Sequence, residues 1–86
     1  MHDYDKRIIR LVEWLLFQKK ITSSKEFCLS IGLLEQTFSK IKKGNNHFTV
    51  LQIEKICKTY KVNSNWIFGV EKNVFRNDKT IEINDF

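Results

Sequence analysis

Eighty-six residues limit the chain to one domain with a modest core. No apolar run approaches the roughly 18 residues of a bilayer span, and the charged N-terminus lacks the apolar stretch of a secretory signal, so a cytoplasmic protein is expected. The net charge of +5 is unevenly spread: between Lys19 and Phe48 six lysines (19, 20, 25, 40, 42 and 43) stand against Glu26 and Glu35, whereas residues 71–86 carry three basic and four acidic groups. A local basic patch suits a polyanionic partner, and it equally suits a solvated lysine face.

Proline is absent and glycine occurs only at 32, 44 and 69, which favours helices over a turn-rich β fold. Ile8, Leu11, Val12, Leu15 and Leu16 recur at helical spacing and predict a first helix over residues 5–19. Asp3 or Asp5 can cap it, and Lys19 and Lys20 suit its negative end. Trp14 and Phe17 flank the stripe as core or partner-facing residues. Ser23 and Glu26 read as a capping box for a second helix, which turns Phe27 and Ile31 to one side and stops at Gly32. A third helix, residues 35–43, puts Phe38 and Ile41 inward and stops at Gly44. Thr49 and Gln52 form another capping box, and Val50, Ile53, Ile56, Cys57 and Tyr60 give the fourth helix its buried stripe. Asn63 or Ser64 starts a short fifth helix with Trp66, Ile67 and Phe68.

Cys28 and Cys57 sit in amphipathic stretches and have no Cys or His at ligand spacing, so both read as reduced core thiols. His2 and His47 also lack partners for a metal. No nucleophile–base arrangement and no glycine-rich phosphate loop is present, so neither catalysis nor a cofactor is expected.

The second and third helices are separated by about three residues, which forces a steep crossing with a small residue, Cys28, at the contact. The third helix then projects outward, as in a helix-turn-helix. The residues from about 6 to 70 resemble the Cro/repressor-type (XRE-like) helix-turn-helix regulators of phages and bacteria. Ser24 begins the motif, Phe27 and Cys28 fill its apolar and small places, Ile31, Gly32 and Leu33 make the turn, and Phe38, Ile41 and Gly44 belong to the reading helix. The segments "TVLQIEKICKTYKV" and "NSNWIFG" extend the likeness to the fourth and fifth helices.

The resemblance implies an all-α, five-helix domain that binds double-stranded operator DNA as a homodimer and regulates transcription. By position it implies base contacts from Glu35, Gln36, Thr37 and Lys40, with Gln36 suited to adenine and Lys40 to guanine. Ser24 then lies near a phosphate, and Ser39, toward the side of the helix, is assigned with it to the backbone contacts. Lys42, Lys43, Asn45, Asn46 and His47 read as backbone contacts; the plainer reading is a polar loop that turns the chain.

Three departures stand out. Leu34 replaces the usual capping Ser or Thr and puts an apolar group where a thymine methyl can sit. Glu35 puts a carboxylate at the tip of the reading helix, to accept from cytosine or merely to favour the helix N-terminus. Thr22 stands where an aliphatic is common, just after Ile21.

Trp66 reads as core, with a dimer contact as the alternative. Ile67, Phe68 and Val70 have no obvious place in a core closed by four helices and are assigned with Trp66 to a dimer interface. The domain is expected to span 1–70. Residues 71–86 are expected to be a tail, with a possible strand around 80–83 that pairs with a second subunit or folds back as an arm. No membrane contact or small-molecule effector is expected. The alternative function is a protein-interaction module, such as an antitoxin or adaptor, that keeps the fold.

Overall fold

Five helices make an all-α fold in the computed structural model, which describes residues 1–76: α1 (Asp3–Phe17), α2 (Ser24–Ser30), α3 (Glu35–Lys42), α4 (Val50–Tyr60) and α5 (Ser64–Ile67). α1 packs against α2, α3 and α5, and α4 packs against α5. Ile8, Leu11, Val12 and Leu15 supply its buried stripe. Leu16 is 36% exposed and Phe17 75% exposed, so the stripe is narrower than the sequence suggests.

α1 begins and ends earlier than the expected 5–19. His2 occupies the cap position, and Asp5 completes the cap from the first turn, its Oδ2 accepting from the His2 amide at 3.2 Å. Lys19 and Lys20 lie past the helix end.

All five of these helices terminate alike. The amide after a left-handed residue reaches back five positions: Lys20 to Leu15 O (2.9 Å), Leu33 to Cys28 O (2.8 Å), Asn45 to Lys40 O (2.8 Å), Val62 to Cys57 O (3.2 Å) and Val70 to Asn65 O (2.7 Å). The left-handed residues are Lys19, Gly32, Gly44, Lys61 and Gly69. A lysine in that conformation costs roughly 1 kcal/mol more than a glycine, so two of the five ends carry no glycine signal in the sequence. At Gly69 a Cβ would also crowd the Arg7 guanidinium, meeting Nη2 at 3.0 Å, so that side chain would have to shift by a few tenths of an ångström. The Arg7 guanidinium donates to Ile67 O at 3.5 Å and ties α1 to the end of α5.

In α4 the capping box forms as expected: Thr49 Oγ1 accepts from the Gln52 amide (3.2 Å) and Gln52 Oε1 from the Thr49 amide (2.9 Å). Ile53 and Ile56 are buried, whereas Val50 is 79% exposed and Cys57 and Tyr60 are half-buried. Tyr60 stacks on Phe27 at 5.6 Å and shares a 2.6 Å hydrogen bond with Ser30 Oγ. Both cysteines are free. Burial pushes both thiols up from their ordinary value. Glu35 adds to the effect at Cys28 while Lys42 opposes it, and Arg76 opposes it at Cys57.

The chain does not leave the domain at residue 70. Val62 and Phe75 form an antiparallel bridge, Asn63 N donates to Val74 O (2.7 Å), and Arg76 N donates to Lys61 O (2.9 Å). Val74 is fully buried, and Phe75 packs on Trp14 at 5.3 Å. The Asn63 side chain caps α5 through the Asn65 amide (3.1 Å) and donates to Glu71 and to Asn73 O. Residues 71–76 therefore belong to the domain. The strand expected at 80–83 lies outside the described residues.

Candidate nucleic-acid interface

Local chemistry at the start of α2 sets the geometry of the α2–α3 pair. Ser23 Oγ accepts from the Glu26 amide at 3.2 Å, which is half of the expected capping box. Glu26 does not return to Ser23. Its Oε1 takes the Thr22 hydroxyl (3.0 Å) and amide (3.4 Å), so Thr22 has a polar role and the buried Ile21 supplies the apolar contact beside it.

The turn of residues 31–34 then brings α3 across α2. Ile31, Leu33 and Cys28 are buried at the junction, and Phe27 meets Phe38 at 6.0 Å. Phe38 and Ile41 fix the inner face of α3 to the core. What the core does not take is the opposite face.

Glu35, Gln36 and Lys40 are exposed there, with Thr37 half-buried beside them. Neither Gln36 nor Lys40 makes a side-chain hydrogen bond or ion pair among the described residues. Leu34 occupies the cap position without a side-chain cap bond and is 69% exposed. It borders a groove of about 300 Å³ between α2 and α3, which Lys25, Cys28, Leu29, Leu33, Glu35 and Gln36 also line. Leu29 is 72% exposed, so two leucines present apolar surface beside the polar face of α3.

The expected backbone contacts divide into two groups. Lys43, Asn45 and Asn46 are exposed at the end of α3 and in the loop after it. Ser24 and Ser39 are half-buried, and Lys42 Nζ lies 4.9 Å above the Phe38 ring, where the ring face attracts it. His47 is drawn inward: its Nδ1 is 2.6 Å from Asp5 Oδ2, and its ring stacks on His2 at 3.8 Å. Asp5 is fully buried and also accepts from the Phe48 amide at 3.0 Å. The sequence reading gave Asp5 only as a possible cap of α1 and missed its tie to His47 and Phe48, although its position continues the α1 stripe one turn before Ile8.

Two residues assigned to a dimer interface are internal. Trp66 is 4% exposed and Ile67 fully buried, because α5 lies between α1 and α4 and closes the core. Phe68 and Val70 remain on the surface at 53% and 73% exposure, with Phe68 against Tyr4 at 5.8 Å.

Among the described residues no group of three His, Cys, Asp or Glu side chains is placed to hold a metal ion, and no helix is long and apolar enough to cross a membrane. No protein-family model, curated protein or solved structure matches the chain.

Proposed function

We propose that the chain is a sequence-specific DNA-binding regulator of transcription of the Cro/repressor helix-turn-helix type, acting in the cytoplasm. α2 and α3 are the two helices of the motif, and α3 enters the major groove. The observation that carries this reading is the division of α3: Phe38 and Ile41 anchor one face in the core, while Gln36 and Lys40 stand exposed and unpartnered on the other. A rigidly held helix with free hydrogen-bonding side chains is what base-edge recognition requires.

Gln36 pairs with an adenine, Lys40 donates to a guanine, and Leu34 meets a thymine methyl. Lys43, Asn45 and Asn46 hold the phosphates that flank the groove. A homodimer then places two copies of α3 about 34 Å apart on a two-fold site, with Phe68 and Val70 as the exposed apolar residues available for pairing.

Selection of bound duplexes from a random DNA pool tests the reading directly. The expected result is a two-fold motif. Binding should weaken steeply with salt, with a slope of log K near −4 to −5 per subunit for about four to six phosphate contacts. A pool that enriches no motif, or a flat salt response, refutes it.

A second reading, a protein-interaction module such as an antitoxin or adaptor, is favoured by the exposed Leu29 and Leu34 on one groove beside Glu35. A carboxylate and two leucines suit a protein surface better than a phosphate backbone. That reading predicts no enriched motif.

A further inference from the structure

The loop that joins α3 to α4 is held from beneath by one carboxylate. Asp5 is fully buried and is the sole buried charged side chain among the described residues. Its Oδ1 accepts from the Phe48 amide at 3.0 Å, and its Oδ2 faces His47 Nδ1 at 2.6 Å and the His2 amide at 3.2 Å. A carboxylate only accepts, so His47 donates from Nδ1. The His2 ring then stacks on the His47 ring at 3.8 Å and 22° between planes. His47 is thus clasped between α1 and its N-terminal cap residue.

The rest of the loop has little else to fix it. Asn45 N donates back to Lys40 O at 2.8 Å, which anchors the upstream end on α3. Phe48 packs on Phe38 at 6.2 Å and anchors the downstream end in the core. Asn46 Oδ1 accepts from the His47 amide at 2.8 Å, a bond internal to the loop. Asn45 and Asn46 are exposed between these anchors, next to Lys43. Among the described residues, the Asp5 bonds are the polar ties that join this loop to α1.

We infer that Asp5, acting through His47, is a positioning residue for DNA binding: it holds the loop of residues 44–47 in the path that presents Lys43, Asn45 and Asn46 to the phosphate backbone. The inference rests on the DNA-binding reading and adds to it a residue far from the expected contact surface in sequence. A loop ordered before binding does not lose that freedom on the DNA, so affinity rises without a new contact. The base-reading face of α3 is anchored separately, through Phe38 and Ile41, and stays in place when the tether is cut.

The test uses the full chain and the duplex that the wild type selects from a random pool. Asp5→Asn keeps the shape and an oxygen for the Phe48 amide but removes the charged acceptor at His47. His47→Ala removes the tether and leaves the Phe48 bond intact. Affinity is measured by fluorescence anisotropy over a salt series, with folding checked by circular dichroism.

Both variants are expected to bind roughly five- to tenfold more weakly, with the salt slope smaller by up to about one per subunit, since Lys43 is the one cation that the loop is inferred to present, and to reselect the same motif. A variant that is merely less stable loses active fraction but keeps the slope, which separates positioning from folding. If Asp5→Asn is unfolded at the assay temperature, His47→Ala decides alone, since His47 is 43% exposed and its loss leaves no buried charge without the Phe48 bond. Wild-type affinity and slope in folded variants overturn the inference while leaving DNA binding standing. A wild type that selects no duplex overturns both.

Discussion

Val74→Ala tests whether the segment after α5 is part of the domain. Val74 is fully buried, although it follows α5 by seven residues and shows no sequence periodicity. The substitution removes two methyl groups. At about 0.8 kcal/mol per buried carbon the transfer loss is about 1.6 kcal/mol, and an unfilled cavity raises it to about 2–3 kcal/mol. A domain of this size has a total stability of roughly 4–13 kcal/mol, and each kcal/mol shifts Tm by about 4–8 °C. Val74→Ala should therefore lower Tm by roughly 8–24 °C. Val50→Ala is the control: Val50 is 79% exposed at the start of α4, and the same chemical change there should stay within about 0.5 kcal/mol. Thermal melts followed by circular dichroism at 222 nm (the usual helix band) compare the two. If both variants melt together, Val74 is not core and residues 71–76 do not belong to the domain. If they separate as expected, a truncation after Gly69 removes core and is a folding experiment, so it says nothing about dimerisation.

Gln36→Ala should cost about 1–3 kcal/mol on the selected duplex and relax preference at one base position, whereas Lys43→Ala should weaken all sequences alike and reduce the salt slope by about one; equal shifts of the motif in reselection would remove the division between reading and positioning. Sedimentation at micromolar concentration should show a dimer that Phe68→Lys disrupts, and a wild type that is monomeric with and without DNA refutes the two-fold arrangement. Hydrogen bonds from Asn65 and Asn63 hold the Glu71 carboxyl below the usual glutamate range, so its contribution is present above the unfolded glutamate pKa and is lost as pH falls through the lower folded value. Melts of wild type and Glu71→Gln should accordingly differ near neutral pH and converge in acid, and a gap that stays constant with pH refutes that origin.

The helix faces were legible because they follow local periodicity. Ile8, Leu11, Val12 and Leu15 are buried, and so are Phe38 and Ile41, whose inward position by subtraction exposes Gln36 and Lys40. The errors arise where burial depends on distant segments. Leu16 and Val50 carry helical spacing but lie at helix ends where no partner covers them. Trp66 is buried, as its reading as core expects, but Ile67 looked surplus to a four-helix core; α5 reaches α1 and α4 and completes it. Val74 is buried only because residues 73–76 return to Lys61, Val62 and Asn63, a pairing no local pattern announces. Asp5 left a legible trace: it sits three residues before Ile8 on the same helical face, and a carboxylate there needs donors from elsewhere. Their identity, His47 and Phe48, follows from the path of the α3–α4 loop and cannot be read from spacing.

The order of charges along α3 has a structural explanation that competes with DNA recognition. Glu35 stands in the first turn and Lys40 and Lys42 in the last, which is the arrangement that offsets the helix dipole in any short helix. Each such charge is worth about 0.3–1 kcal/mol to the helix, so their presence alone does not argue for a nucleic acid. Lys42 already has a second structural use over the Phe38 ring. Gln36 has neither. It is uncharged, exposed and unpartnered, and glutamine is no better a helix former than lysine or glutamate at that place. Lys43 is the C-cap residue of α3, so the dipole accounts for it as well, whereas Asn45 and Asn46 are uncharged and lie past Gly44. The two accounts therefore part at Gln36, and at Lys43 in binding alone. If α3 is only a well-capped core helix, Gln36→Ala changes neither stability nor any binding, and Lys43→Ala costs only about 0.3–1 kcal/mol of stability. If α3 reads a groove, both lose affinity for DNA, and only Gln36→Ala alters the selected sequence.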